Sequence, residues 1–372
     1  MKLPLVTPPE SICLLRLSAV GDVVHAVPIV RTVQEFWPAT SITWIVGQPG
    51  MKLVGDLDGV EFITYDKGAG SKGRRDVRRR LAGRQFDVLI HTQASLRANL
   101  VSALVRADVR LGYDRARARD LQGLFINQRL PPDPRQHVVD SFFDFLKVLG
   151  LRDRVVRWDI PIAPADREFA ESHLPGTQPT MIVSPSSTRS ARAWASERYA
   201  AVADYAIEKL GMRVALCGGR TAAEREFGAA ITSHMRNTPI DLIGKDTLKQ
   251  LLALLERADV LLSPDSGPVH MATSVGTPVI GLYAASNLQR TGPYLNSEWC
   301  IDRYDLAARR YQNRPARELR WGKRLEYPGV MDLVTVDDVT ATLERFCHAG
   351  RASCHATFID DEMAAGSDED DA

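Results

Sequence analysis

The stretch from Val260 to Tyr283, VLLSPDSGPVHMATSVGTPVIGLY, constrains the fold of this chain more than any other part of its sequence. It begins with a short apolar run typical of a buried strand, and Pro264 and Gly267 interrupt that run. Helical spacing follows and leads into a second apolar strand. Two buried strands joined by a helix are the repeating unit of parallel α/β sheets. The N–H groups at the start of such a helix can bind phosphate. The same pattern also fits a plain scaffold element in which Asp265 only caps the helix.

The same alternation of strand and helix recurs through most of the chain. Apolar strands are predicted at Ser11–Leu17 and Phe86–His91 in the first half, and at Thr180–Pro185 and Met212–Cys217 in the second. This rhythm predicts the α/β class, with parallel sheets covered by helices on both faces. The predicted division is an N-terminal domain at 1–160, a C-terminal domain at 161–335, a C-terminal helix at 336–350 and an acidic, disordered tail at 351–372.

The composition of the chain excludes several functional classes. Its 372 residues include 47 basic and 46 acidic side chains, so the net charge of +1 gives no global bias toward nucleic acid. The five cysteines are scattered without CxxC spacing, which argues against zinc or disulfides and for a cytosolic setting. The N-terminus lacks the apolar core of a signal peptide. No window approaches the roughly 20 apolar residues of a spanning helix. We therefore expect a cytoplasmic protein without a transmembrane segment, which at most lies on a membrane surface.

Asp22 stands just beyond the first predicted strand, at the end of the turn Ser18–Asp22. Ligands of parallel sheets sit at the carboxyl ends of the strands, and Gly21 allows another molecule to approach the backbone closely. A carboxylate there is a candidate general base that accepts the proton of a hydroxyl group. The alternative is that Asp22 caps the helix that follows.

Two loops of the second half carry polar and charged groups at predicted strand ends. The hydroxyls of Ser187 and Thr188, with the guanidinium of Arg192, suit a diphosphate. Glu224 follows a glycine turn at the end of another strand, where a carboxylate can accept hydrogen bonds from ribose hydroxyls. A solvated basic loop and an ordinary glycine turn are the alternatives.

Basic residues concentrate in two tracts of the first half. Lys67–Arg84 carries eight basic residues and one acid, and its second half has helical character; Tyr113–Arg119 is a shorter basic tract. A solvated helix face is one interpretation of the first tract, and contact with an anionic membrane or with acceptor phosphates is the other. The arginines that would make this contact are Arg74, Arg75, Arg78 and Arg79.

Two stretches together resemble a known family. Leu15–Pro28, LRLSAVGDVVHAVP, looks like the N-terminal signature of the lipopolysaccharide heptosyltransferases, glycosyltransferase family 9. Asp265–His270, DSGPVH, followed by Gly276–Pro278, resembles the donor loop of that family. The similarity runs from residue 11 to residue 345 and is strongest to the heptosyltransferase I type, especially its OpsX-like branch.

This resemblance implies a GT-B fold, in which two Rossmann-like domains face each other across a cleft. The N-terminal domain would bind the acceptor and the C-terminal domain the nucleotide-sugar donor. The implied reaction is an inverting, metal-independent transfer of L-glycero-D-manno-heptose from ADP-heptose to Kdo of Kdo–lipid A, in lipopolysaccharide inner-core biosynthesis. Neither a cofactor nor a metal site is expected. The implied location is the cytoplasmic face of the inner membrane.

The resemblance also assigns roles to individual residues. Asp22 matches the general base, and Arg192 stands where heptosyltransferase I has a lysine at the diphosphate. Both are therefore candidate catalytic residues, although a planar guanidinium replaces a point charge at Arg192. The four arginines of the first basic tract fall in the region that faces the acceptor. The candidate donor-binding residues are Ser187, Thr188, Arg192, Glu224, Asp265, Ser266, Gly267 and His270.

Other functions remain open at this point. The same donor could serve a different acceptor, such as an outer heptose or a protein. A nucleotide-sugar-binding protein without turnover is a further alternative, although it would not need the base that Asp22 supplies. A dehydrogenase is disfavoured because no GxGxxG motif follows the first strand. The oligomeric state is not determined by the sequence.

Overall fold

The computed structural model describes residues 2–133, 135–185 and 192–350. The predicted disordered tail at 351–372 and the predicted diphosphate-binding residues Ser187 and Thr188 lie outside the described residues. The chain divides into two compact units. Unit 1 extends to Pro161 and unit 2 begins at Ile162, while the short segment Gln289–Thr291 groups with unit 1.

Unit 1 is a parallel six-stranded sheet with helical connections. Its strands are β1 (Ser11–Leu15), β2 (Ser41–Gly47), β3 (Val60–Tyr65), β4 (Phe86–His91), β5 (Ala107–Gly112) and β6 (Gln128–Arg129). Its helices are α1 (Val20–Phe36), α2 (Gln48–Val54), α3 (Ser71–Arg80), α4 (Leu96–Ser102) and α5 (Val138–Leu149). The strand order is β3-β2-β1-β4-β5-β6, and Leu15 of β1 lies in register with Ile45 on one side and His91 on the other.

Unit 2 repeats this architecture. Its strands are β7 (Thr180–Val183), β8 (Arg213–Leu216), β9 (Ile240–Asp241), β10 (Val260–Pro264), β11 (Val279–Tyr283) and β12 (Ile301–Asp302). The helices from the start of unit 2 onward are α6 (Pro164–His173), α7 (Ser196–Leu210), α8 (Ala222–His234), α9 (Leu248–Arg257), α10 (Gly267–Ser274), α11 (Leu288–Thr291), α12 (Tyr304–Gln312) and α13 (Val336–His348). The strand order is β12-β11-β10-β7-β8-β9.

Both sheets have the strand order of the Rossmann fold. The first strand of each unit lies beside its fourth, and the chain winds outward in opposite directions from that pair. Ligands of such sheets bind outside the carboxyl ends of the strands at this reversal point. The reversal points are β1 with β4 in unit 1 and β7 with β10 in unit 2. The predicted α/β class with two Rossmann-like domains is therefore confirmed.

Each sheet is buried beneath its helices, as continuous apolar strands require. In unit 2, Trp194 and Tyr199 are fully buried, and the Trp194 indole donates a hydrogen bond to the carbonyl of Val334 at 2.9 Å. Within the described residues, every helix is too short or too polar to cross a membrane.

The boundary of the first strand differs from the sequence prediction. β1 ends at Leu15 rather than Leu17, because the Leu17 amide donates to a side chain instead of to a neighbouring strand. α1 begins at Val20 and continues through Pro28. After β4, helix α4 begins at Leu96, because Ser95 caps it.

Candidate active site

Asp22 lies in the first turn of α1, at the reversal point of unit 1. Its Oδ2 atom accepts a hydrogen bond from the backbone N–H of Ala19 at 3.3 Å and forms an ion pair with the Arg16 guanidinium. The capping interpretation is thus correct in part. The Asp22 side chain is nevertheless 33% exposed, and both of these contacts use the same oxygen. Asp22 is therefore anchored through Oδ2, and its side chain keeps access to solvent.

Arg16 holds this carboxylate from a buried position. Its Nη1 donates to the carbonyl of Thr92 at 2.6 Å, and its guanidinium carbon lies 5.6 Å from the centre of the Phe142 ring. A hydrogen bond on one side and an aromatic face on another leave the guanidinium little freedom. The positive charge beside Asp22 therefore has a fixed place. Sequence reasoning assigned Arg16 no role, although it lies within the conspicuous stretch that begins at Leu15.

Gln93 organises the loop that leads from β1 to Asp22. Its Oε1 accepts from the backbone N–H of Leu17 at 2.7 Å and of Ser18 at 3.2 Å. Its Nε2 donates to the hydroxyls of Ser18 at 3.2 Å and Ser95 at 3.3 Å. Because β4 lies beside β1, a polar side chain just after β4 reaches the turn after β1. Gln93 was not predicted as a site residue; only the strand order identifies it.

In unit 2, Arg192 and Asp265 form a buried ion pair. Arg192 Nη1 donates to Asp265 Oδ2 at 3.0 Å and to the Asp265 carbonyl at 3.2 Å, and both side chains are more than nine-tenths buried. Glu326 adds a second carboxylate, with its Oε1 atom 3.7 Å from Arg192 Nε. The structure thus brings together two predicted donor-site residues and adds Glu326, which sequence reasoning missed. A diphosphate would meet an arginine whose orientation is already set by carboxylates.

Asp265 precedes α10 without capping it. The N-cap residue of α10 is Ser266, whose side chain makes no capping hydrogen bond. Its hydroxyl instead lies 2.8 Å from that of Ser263, which donates to the carbonyl of Ser184 at 2.8 Å. These bonds connect the carboxyl ends of β7 and β10, the reversal point of unit 2. The first N–H groups of a helix lack partners within it, so the start of α10, at Gly267, is suited to an anion.

His270 and Glu224 take different positions in unit 2. His270 is buried in α10. Glu224 lies in the first turn of α8 and accepts from the Gly219 N–H at 3.0 Å and from the Thr221 hydroxyl at 2.7 Å. A Cβ atom at Gly219 would lie 2.4 Å from the Glu224 carboxylate, so a larger residue there would displace this side chain. Glu224 therefore stabilises its own turn, and its predicted ribose contact remains a prediction.

The first basic tract forms the exposed face of α3. Gly73 and Val77 are buried, and a Cβ atom at Gly73 would lie 2.3 Å from the carbonyl oxygen of Asp66. This close packing turns the basic side chains outward. The four predicted acceptor-facing arginines, Arg74, Arg75, Arg78 and Arg79, are exposed, as is Arg80, and Arg79 pairs with Asp76 at 3.2 Å.

A histidine near the Asp22 loop is buried. His91, at the end of β4, lies next to Asn99, with 2.9 Å between His91 Nε2 and Asn99 Oδ1. Burial lowers the pKa of His91 from 6.5 to about 4, so the imidazole is neutral at pH 7. His91 is therefore a structural residue beneath the site. Among the residues at 2–133, 135–185 and 192–350, no group of three or more His, Cys, Asp or Glu side chains could hold a metal ion.

Comparisons with known proteins point to one glycosyltransferase family. Residues 74–321 match the family model described as glycosyltransferase family 9 (heptosyltransferase). The chain is 37% identical to the lipopolysaccharide core heptosyltransferase OpsX of Haemophilus influenzae, over 91% of this chain and 97% of that protein.

Solved structures show the same fold at lower identity. A family 9 glycosyltransferase from Veillonella parvula superposes with a TM-score of 0.74 at 23% identity, over 92% of this chain and 98% of that one. The Escherichia coli heptosyltransferase WaaC with ADP gives a TM-score of 0.68 at 18% identity, over 90% and 99%. These similarities confirm that the two Rossmann-like units belong to the GT-B class.

Proposed function

The chain belongs to glycosyltransferase family 9, and from this premise we propose that it transfers heptose to the lipopolysaccharide inner core. The donor in this proposal is ADP-L-glycero-β-D-manno-heptose, and the acceptor is a Kdo hydroxyl of Kdo–lipid A. The sequence similarity to a lipopolysaccharide core heptosyltransferase over nearly the whole chain supports this choice. The transfer is inverting and needs no metal ion. It takes place on the cytoplasmic face of the inner membrane, where the acceptor lipid resides.

The anchoring of Asp22 is the observation that carries the proposal. Oδ2 is held by Arg16 and by the Ala19 N–H, while the carboxylate remains one-third exposed. Oδ1 can then accept the proton of the acceptor hydroxyl, as a general base does. The deprotonated oxygen forms a bond to the anomeric carbon of heptose from the face opposite ADP. The bond between that carbon and the diphosphate oxygen breaks, which inverts the anomeric configuration.

Unit 2 supplies groups suited to the departing ADP. Arg192 and the start of α10 offer positive charge and N–H donors to the diphosphate, which gains charge as it leaves. Asp265 and Glu326 orient Arg192 through their ion pairs. Arg192 thus belongs to a preorganised set, and Asp265 acts on the donor through it. Ser187 and Thr188 complete the diphosphate contacts in this proposal, and Glu224 and His270 contact the rest of the donor.

A direct assay distinguishes the open functions. The purified chain is mixed with ADP-heptose and either Kdo–lipid A, a heptosylated core acceptor or a protein acceptor, and ADP release is measured. We expect release with Kdo–lipid A, unaffected by a chelator. Release only with another acceptor would redirect the acceptor assignment. Saturable donor binding without release under any condition would indicate a binding protein.

Asp22→Asn tests the base. The amide keeps the size of the side chain but cannot accept the acceptor proton, so we expect turnover to fall by about 10²-fold to 10⁴-fold. ADP-heptose affinity, measured by calorimetry, should remain unchanged. The matched control is Glu35→Gln on the same helix, which affects only an exposed ion pair with Arg157. Substantial turnover in Asp22→Asn would remove Asp22 from the base role.

A further inference from the structure

Four leucines of unit 1 are exposed in one region of its surface. Leu96 and Leu100 belong to α4, and Leu121 and Leu124 belong to the segment that follows β5. Their exposed fractions are 53%, 41%, 68% and 78% in that order. Single exposed leucines are ordinary, but a group of them marks an interaction surface.

Hydrogen bonds hold the two leucine pairs together. The Leu96 N–H donates to Asp120 Oδ2 at 2.9 Å, and Asn99 Nδ2 donates to the Asp120 carbonyl at 2.6 Å. Leu121 follows Asp120 directly. Leu96 and Leu100 are four residues apart on α4 and therefore share one of its faces. The group is thus a fixed apolar patch.

The backbone beside this patch is strained. Asp120 and Leu121 have φ values of 51° and 65°, the left-handed region that residues other than glycine rarely occupy. A bulky leucine in that conformation, with most of its surface in solvent, gains little packing in return. Strain of this kind persists where the surroundings enforce it, and it is concentrated at functional segments. Here Gln122 is the anchor, since its Nε2 donates to the buried carbonyl of His91 at 3.1 Å.

Arginines neighbour these leucines along the chain. Arg97, Arg115 and Arg119 are exposed on the same two segments. An apolar centre with a cationic rim is complementary to a bilayer that contains anionic lipids, because leucines enter the acyl boundary while arginines meet phosphates. A two-fold contact between copies of this chain would place these rims against each other, so like charges disfavour it.

We propose that Leu96, Leu100, Leu121 and Leu124, with the rim arginines Arg97, Arg115 and Arg119, dock unit 1 onto an anionic lipid bilayer. α4 and the Leu121 segment follow β4 and β5, so the patch begins at the sheet edge that carries Asp22. Docking there brings the base to the membrane surface where a lipid-linked acceptor lies. The inference deepens the proposed function, but its test is separate from catalysis.

The test is co-sedimentation of the full chain with vesicles of phosphatidylcholine containing phosphatidylglycerol. Leu121→Asn with Leu124→Gln removes the apolar centre, and asparagine tolerates the left-handed conformation. We expect vesicle affinity to fall by more than about tenfold. Replacing the three rim arginines with glutamine should lower affinity about fivefold per charge and reduce its salt dependence. The matched control is Leu306→Gln, an exposed leucine of α12 in unit 2, which should bind like the unchanged chain.

Three further measurements decide the interpretation. Thermal unfolding should be unchanged in the leucine variant, as should turnover with a Kdo acceptor that lacks acyl chains. Vesicle binding equal to that of the unchanged chain would overturn the proposal. Loss of turnover on the acyl-free acceptor would assign the patch to the sugar site. Loss of a concentration-dependent dimer would assign the patch to self-association. Either result would also overturn the proposal. If the chain binds vesicles but transfers no heptose, the docking proposal is supported and the proposed function is refuted.

Discussion

Asp265→Asn removes one negative charge from the buried pair with Arg192 while nearly preserving the shape of the side chain. Two unit charges 3.0 Å apart attract by about 5 kcal/mol at an effective dielectric constant of about 20. Desolvation offsets much of that attraction, and removing one partner of a buried pair typically costs about 3–5 kcal/mol. Glu326 remains 3.7 Å from the guanidinium and compensates part of its charge. The expected loss in the free energy of unfolding is therefore about 2 kcal/mol.

Arg192→Met removes the positive charge of the same pair. It leaves Asp265 and Glu326 without the cation between them, so the expected loss rises to about 3–5 kcal/mol. Urea denaturation followed by circular dichroism measures both single variants and the double variant. The double-mutant cycle should give a coupling energy of about 1–3 kcal/mol. Thermal denaturation should show a fall of roughly 4–8 °C for Asp265→Asn, since unit 2 has the size for which 1 kcal/mol shifts Tm by about 2–4 °C.

An exposed pair of the same unit provides the control. Asp241 and Lys245 lie 2.9 Å apart, and both side chains are more than half exposed. Asp241→Asn should change the unfolding free energy by less than about 1 kcal/mol. The reasoning is refuted if Asp265→Asn costs no more than Asp241→Asn, or if the coupling energy is near zero. Either result would mean that Arg192 is not oriented by Asp265.

Two further predictions concern unit 1. Gln93→Ala removes the acceptor of the Leu17 and Ser18 N–H groups, so kcat should fall about tenfold while KM for the donor stays constant. Gln93→Glu should retain more activity because it keeps an acceptor. An unchanged kcat in Gln93→Ala would show that the loop holds its shape without this side chain. His91 makes the folded protein less stable in acid, because its pKa is lowered from 6.5 to about 4. The unfolded chain takes up this proton first, so stability should fall by up to about 3 kcal/mol as pH falls through this window. His91→Gln should reduce that slope in denaturation measured at a series of pH values, and an equal slope would contradict the assignment.

The predictions from sequence succeeded where the pattern is local. The Val260–Tyr283 stretch folds as a strand, a helix and a second strand, with the helix beginning at Gly267 as its turn residues indicate. Local capping signals did not distinguish the roles of Asp22 and Asp265. Asp22 does bind the N–H of Ala19, whereas Asp265 caps nothing and pairs with Arg192. A carboxylate before a helix has several partners within reach, and only the fold selects among them.

The contacts missed by sequence reasoning are those made across strands. Gln93 and Leu17 are 76 residues apart, and Arg192 and Asp265 are 73 apart. They meet because β1 lies beside β4 and β7 beside β10. The spacing of these residues along the chain contains no sign of that proximity. The exposed leucines were missed for a similar reason, since apolar residues in short segments are usually assumed to be buried.

The sequence by itself determined the α/β class, the order of the elements and the two family signatures, because apolar periodicity, turn residues and motif spacing are properties of neighbouring residues. Only the tertiary structure decided which oxygen of Asp22 is anchored, which carboxylates hold Arg192 and which leucines share an exposed surface. The physical reason is that strand order and packing set these contacts, and both depend on residues far apart in the chain.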